Sequence, residues 1–217
     1  KSQKFEDKKG DNYNETVYLQ RLNLWKINQH IKKFFTDNSL GEMLCKLAKV
    51  KKMRIWHDQT LQKQPWANPT SWHLDNPKWS FYSKNSISIW IALDDATILN
   101  GCVFYLPKSH KLAKFDNDVR IGKKMDDLFE LYPEFRKLDP VAAEMKAGDA
   151  GFHNGLIAHA AGANMTNNTR AAMTCAFMPE GSTYNGQQNI LSESYVEKLK
   201  IGDLLNDSSI NPIVGDF

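Results

Sequence analysis

With 217 residues, 41% of them hydrophobic and 24% charged, the chain has enough material for one core-bearing domain, and its formal net charge of +3 is close to balance. No basic block is interleaved with aromatics as a nucleic-acid face requires, and no run of about 18 apolar residues is present for a membrane span. The opening Lys1-Ser2-Gln3-Lys4 lacks the apolar stretch of a signal peptide, so a cytoplasmic protein without nucleic-acid or membrane partners is expected.

Residues 1–15 are polar and read as a poorly ordered lead-in, and the missing initial methionine points to a fragment or a trimmed chain. Leu24, Ile27, Ile31 and Phe34 recur at helical spacing and predict an amphipathic helix that stops at Thr36-Asp37-Asn38. Ser39 with Glu42 three residues on has the pattern of a capping box, and Leu40, Met43, Leu44 and Leu47 give the second helix an apolar stripe. Residues 1–50 are thus expected to be helical support outside a sheet.

From Lys52 the apolar period drops to two, and aromatic and β-branched residues become frequent. Met53 to Lys63 reads as a strand with Ile55, His57, Gln59 and Leu61 on one side, broken by Pro65 and Asn68-Pro69. After Ser71 to Asp75 and a turn at Pro77, Ile87, Ile89, Ile91 and Leu93 alternate with Ser86, Ser88, Trp90 and Ala92. Cys102 to Leu106 returns as a strand, and residues 108–140 form a charged insertion or lid with a short helix around Met125 to Leu131. The strand pattern resumes near Val141, turns at Gly148-Asp149 and runs on through His159, and Arg170 to Met178 is a further strand. Short strands separated by turns predict a mainly β domain with flanking helices, a barrel or jelly roll. The expected organisation is a single domain over 1–217, with its β core at 51–186 and an irregular tail at 187–217. Cys45, Cys102 and Cys175 are too scattered for a disulfide framework or a Cys-x-x-Cys site and read as small buried hydrophobes.

On a strand, His73 and Asp75 point to the same face, so one imidazole and one carboxylate can grip one metal. His159, set among small residues in Leu156-Ile157-Ala158-His159-Ala160-Ala161-Gly162, is a candidate third ligand. Two imidazoles and a carboxylate on one face of an octahedral ion leave three positions open, an arrangement that suits non-haem Fe(II) better than zinc or magnesium. Arg170, eleven residues beyond His159, can anchor an anionic co-substrate bidentately. His57 lies on the expected face of Gln59 and reads equally as a pocket residue or a hydrogen-bonded core histidine. His153 precedes His159 by an even number of residues and competes with it as a ligand; the spacing to Arg170 favours His159.

The ordered blocks Trp56-His57-Asp58-Gln59 with Lys63, Trp72-His73-Leu74-Asp75, Trp90 to Thr97, Asn100-Gly101-Cys102, Leu106 to Lys111, Gly148-Asp149 and His159 to Arg170 resemble the phytanoyl-CoA dioxygenase family of Fe(II)/2-oxoglutarate oxygenases. The resemblance implies a double-stranded β-helix, the cupin-like jelly roll. It also implies His73, Asp75 and His159 as iron ligands and catalytic centre, and Arg170 on the distal carboxylate of 2-oxoglutarate. Gln59, Lys63 and Trp90 match positions close to that co-substrate, and Trp79 matches an aromatic that shields the metal, with plain core as its rival role. Where the family often carries serine two residues after the second histidine, this chain has Ala161, which removes one hydrogen bond to the co-substrate.

The implied reaction consumes dioxygen and 2-oxoglutarate, releases succinate and carbon dioxide, and oxidises a small molecule whose identity, CoA ester or not, has no signature here. Relatives that halogenate leave the carboxylate's coordination site to halide, so Asp75 implies hydroxylation. The rivals are a cupin-type metal enzyme that uses no 2-oxoglutarate, against which Arg170 speaks, and a catalytically silent β-helix used for binding.

Overall fold

Period-two segments become strands wherever both of their faces find a partner. The computed structural model describes residues 17–117 and 119–215; the lead-in expected over residues 1–15 lies outside the described residues. Its strands are β1 (Leu19–Leu22), β2 (Met53–Lys63), β3 (Thr70–His73), β4 (Ile87–Ala92), β5 (Val103–Tyr105), β6 (Val141–Ala143), β7 (Ala150–Asn154), β8 (His159–Ala161), β9 (Arg170–Pro179) and β10 (Ile213–Val214). The helices are α1 (Gln29–Phe35), α2 (Asn38–Ala48), α3 (Asp127–Leu131) and α4 (Glu193–Val196). None is long and apolar enough to cross a membrane.

All pairings are antiparallel. One sheet runs β2-β9-β4-β7, with β1 and β10 both added on β2; the other runs β3-β8-β5-β6. Counting β2 to β9 as one to eight, the orders are 1-8-3-6 and 2-7-4-5, the winding of a double-stranded β-helix. Trp90, Ala92 and Ala172 of the first sheet pack on Val103, with Phe104 and Ala142 alongside, and fill the space between the sheets. Ile87, Ile89, Cys175 and Phe177 face the other way and bury Trp25, Phe35, Leu44, Cys45 and Ala48 of the helical layer. The alternation expected along β4 is therefore realised, with isoleucines outward and Ser88, Trp90 and Ala92 inward. All three cysteines are buried and unpaired.

The N-terminal helix differs from expectation. Leu24–Lys26 is a short 3-10 turn, and Asn28 restarts the chain as a cap whose side chain accepts from the backbone N–H groups of His30 and Ile31. This break rotates the apolar stripe: Ile27 and Phe34 are 60% and 51% exposed, whereas Trp25 and Phe35 are buried. In α2 the cap is Asp37, accepting from Ser39 N and Leu40 N, rather than Ser39. Leu44, Cys45 and Ala48 go inward while Met43 and Leu47 are exposed. Phe34, Leu40 and Met43 instead line an open groove over Ile89 and Phe152.

A bulge between Ile55 and His57 corrects the expected face of β2. Ile55 pairs with Phe177 and points to the helices, while His57 pairs with Ala176, so only His57, Gln59 and Leu61 of the expected set share the inner face. The stretch from Val141 through His159 is three strands. After β7 the chain turns at Gly155 and crosses to the other sheet before β8.

The 108–140 insertion contains α3 close to the expected helix, but it is not a loose lid. Leu128, Tyr132 and Phe135 are buried against Leu74 and Ala158, which adjoin the metal-facing His73, Asp75 and His159 in the chain, and against Leu106 beside β5. The tail is also more ordered than expected: Leu191 and Leu205 join Trp56, Trp79 and Phe81 in a core cluster, and β10 pairs with β2.

Candidate metal centre

Three donors converge at one mouth of the β-helix. His73 ends β3 and pairs in register with His159, the first residue of β8; Asp75 follows two residues beyond His73. Asp75 is held there because its own N–H and that of Asn76 donate to Gly155 O at 3.2 and 2.8 Å. Asp75 Oδ1 lies 3.7 Å from His73 Nε2 and 3.8 Å from His159 Nε2. Both separations are under twice a metal–ligand bond of about 2.1 Å, so one ion reaches all three.

Both imidazoles are set in one tautomer. His73 Nδ1 is 2.8 Å from Ser71 O and His159 Nδ1 is 3.1 Å from Ile157 O, so each Nδ1–H donates to a carbonyl two residues upstream. Each Nε2 lone pair is left aimed at the centre. The segment before His159 is pinned by Ser109, whose buried Oγ accepts from Ala158 N at 2.8 Å. Burial holds His73 and His159 below the usual histidine range, which keeps them neutral. Burial would raise the Asp75 carboxyl, but His159, His153 and His73 around it outweigh that and lower it, which keeps it ionised. Neutral imidazoles and a carboxylate are the protonation states a divalent metal needs.

A second cluster sits farther inside, where β2 ends and β9 begins. Lys63 and Arg170 are paired in register and both are buried. The Arg170 guanidinium lies 5.3 Å from the Trp90 ring, and its Nη2 donates to Gly101 O at 3.1 Å. Its Nε and Nη1 are buried without a partner among the described residues. Gly101 has φ +85°, and a Cβ there would come within 2.5 Å of Gly162 O, so glycine alone brings that carbonyl to Arg170. Burial lowers Arg170 to about 10 against the opposing Cys102 and Asp94, leaving it charged near neutrality. Lys63 donates to Asn68 O at 2.6 Å and Val17 O at 3.4 Å. Burial and then Arg170 push it down to about 7.

The remaining expected residues divide. Gln59 is on the inner face but accepts from the Gln20 side chain. His57 is buried, with Nδ1 unpartnered among the described residues; burial pushes it down to about 4, against the pull of Asp75. Trp79 meets the His57 ring edge-on at 6.2 Å and packs with Trp56 and Phe81 in a core cluster. Ala161 follows His159 on β8 on the same side of the strand.

One feature escaped the sequence, and one candidate lies elsewhere than expected. Asn164, fully buried, donates to the carbonyls of Lys63, Gln64 and Asn168 and so ties the end of β2 to the turn before Arg170. His153, on β7 in the opposite sheet, places its Nε2 3.6 Å from Asp75 Oδ2. The polar turn Asn164 to Asn168 was the signal for the first; the even spacing that made His153 a rival ligand fails because β7 and β8 are separate strands in different sheets.

The family model for phytanoyl-CoA dioxygenase (PhyH) matches residues 4–172. The chain belongs to that family. Among curated relatives of this PhyH protein, the dioxygenase lolE1 of Epichloe uncinata is 34% identical over 131 residues, 60% of this chain and 48% of the relative. A phytanoyl-CoA dioxygenase of Arabidopsis thaliana is 31% identical over 100 residues, 46% of this chain and 35% of the relative. The chain therefore spans half the length or less of these relatives. The solved carbocyclase SnoK from nogalamycin biosynthesis, a non-haem α-ketoglutarate-dependent protein, superposes with TM-score 0.77 at 24% identity, covering 91% of this chain and 76% of that one. That likeness shows that the PhyH chain shares its fold.

Proposed function

We propose that this protein is an Fe(II)/2-oxoglutarate-dependent oxygenase that hydroxylates a small molecule. The observation that carries the reading is the triad of His73, Asp75 and His159, with both Nδ1 atoms anchored and both Nε2 lone pairs converging with one carboxylate oxygen on a common point. This donor set fits non-haem iron, and an ion held by it keeps three positions open. The buried N–H groups of Arg170, unpartnered among the described residues on two of its three nitrogens, suit the distal carboxylate of 2-oxoglutarate. Family membership favours the same pair of ligands, and among solved structures of this fold the ectoine protein EctD of S. alaskensis is described with 2-oxoglutarate and 5-hydroxyectoine.

When bound, iron with 2-oxoglutarate supplies the oxidising power: one atom of dioxygen ends in succinate as carbon dioxide leaves, and the other oxidises the substrate. The residues of the chain do the rest. His73, Asp75 and His159 would hold the ion; Arg170, its guanidinium over Trp90, would hold the distal carboxylate of the co-substrate; the docked insertion buries the backs of β3 and β8. His57 and Trp79 wall the side toward the first sheet. Asp75 fills the position a halide would take, which supports hydroxylation. The solved neighbours also include proteins described as a carbocyclase and an epimerase; Asp75 speaks against halogenation, and hydroxylation is the reading proposed among the remaining oxidations.

Aerobic incubation with Fe(II) and 2-oxoglutarate should release succinate, slowly alone and faster with the right metabolite in a screen. No succinate under any condition, from protein that stays folded, contradicts the assignment.

A further inference from the structure

The two oxygens of Asp75 face different partners. Oδ1 points to His73 and His159, whereas Oδ2 faces His153 Nε2 at 3.6 Å. His153 is buried, and its Nε2 has no hydrogen-bond partner among the described residues. Its other nitrogen, Nδ1, is 3.1 Å from the Tyr105 hydroxyl. Tyr105 sits on β5 directly across from His159, so the Tyr105–His153 pair spans both sheets behind the carboxylate.

The chemistry of the pair allows one useful proton arrangement. If Nδ1 carried the proton, the bare Nε2 lone pair would face the lone pairs of a carboxylate. If the tyrosine hydroxyl donates to Nδ1, the proton sits on Nε2 and can be donated to Asp75 Oδ2. We propose that His153, set in this tautomer by Tyr105, is a positioning residue that holds Asp75 by Oδ2 and so presents Oδ1 alone to the metal. A carboxylate bound through one oxygen leaves the three open positions that co-substrate and dioxygen need; one bound through both would occupy one of them. The inference rests on the metal-site reading above and adds a residue outside the triad to it.

The test is anaerobic Co(II) titration of the metal-free full chain, read by affinity and by the ligand-field spectrum. His153→Leu removes the donor and should weaken Co(II) binding by about 10- to 100-fold with a shifted spectrum. His153→Gln, whose amide N–H can replace Nε2–H, should stay within about threefold of the parent; Tyr105→Phe should fall between the two. Parent-like affinity and spectrum in His153→Leu, or in Tyr105→Phe should the leucine variant fail to fold, overturn the proposal. Complete loss of binding in both His153 variants, matching His73→Ala, also overturns it by making His153 a ligand. If the parent chain itself binds no Co(II), the metal-site reading fails first and the inference falls with it.

Discussion

The two buried polar clusters of the β-helix are electrostatic opposites. At the mouth, three imidazole or carboxylate donors turn lone pairs toward one point; deeper in, Lys63, donating to Asn68 O and Val17 O, is paired in register with Arg170, whose Nε and Nη1 have no partner among the described residues. The first cluster suits a cation, and Arg170 in the second suits an anion. Each is costly to bury as it stands, because uncompensated charge in a low-dielectric interior is destabilising. A divalent metal chelated by a dicarboxylate answers both at once, and substitutions should therefore act differently at the two ends.

The largest effect belongs to the mouth. His73→Ala should lose more Fe(II) or Co(II) affinity than the roughly 10- to 100-fold that an outer partner of a ligand commands. Isothermal titration of the metal-free protein checks it, and near-parent affinity would break the site assignment. At the deeper cluster, Arg170→Leu should keep metal binding but weaken 2-oxoglutarate by about 2 to 5 kcal/mol. The same variant should leave the ligand-free protein no less stable, since it removes a buried charge. Urea denaturation beside a co-substrate titration separates the two outcomes.

Lys63 sharpens the contrast through pH. Its folded value of about 7 lies below the ordinary 10.5. Between those values the unfolded chain binds more protons, so ligand-free stability should rise as pH rises through that window and be lowest below pH 7. Lys63→Met should flatten that rise; parallel curves for the two proteins would contradict it. His57 acts on the acid side: its folded value of about 4 is depressed, so its contribution is complete above the ordinary 6.5 and lost as pH falls through 4. The smallest effect is at Ala161, where Ala161→Ser should strengthen 2-oxoglutarate binding by about 0.5 to 1.5 kcal/mol. An unchanged KM for 2-oxoglutarate would show that the hydroxyl finds no partner there.

Sequence and structure agree where a period has two faces to serve. β4 and β9 alternate because one side meets helices and the other the second sheet, and His73, Asp75, His159 and Arg170 lie in or beside strands whose register brings them together. The helical stripe was misleading for a physical reason. Periodicity tells which residues share a face, but Asn28 restarts α1 and so chooses which face the sheet receives. The bulge at Ile55/His57 is invisible as composition, since Trp56 suits either phase of a strand. Local spacing raised His153 as a rival ligand but not its partners, which come from β5 and from the turn after β3 in the opposite sheet. The tail gave no repeat to read, yet Leu191 and Leu205 find a core beside Trp56.

The central claim is that one metal and one 2-oxoglutarate bridge the two clusters. Anaerobic addition of 2-oxoglutarate to the Fe(II)-loaded protein tests it directly by visible absorption. The account predicts a metal-to-ligand charge-transfer band that is absent in His73→Ala and needs far more 2-oxoglutarate in Arg170→Leu. A folded parent protein that shows no such band, or one whose titration is indifferent to Arg170, would contradict it.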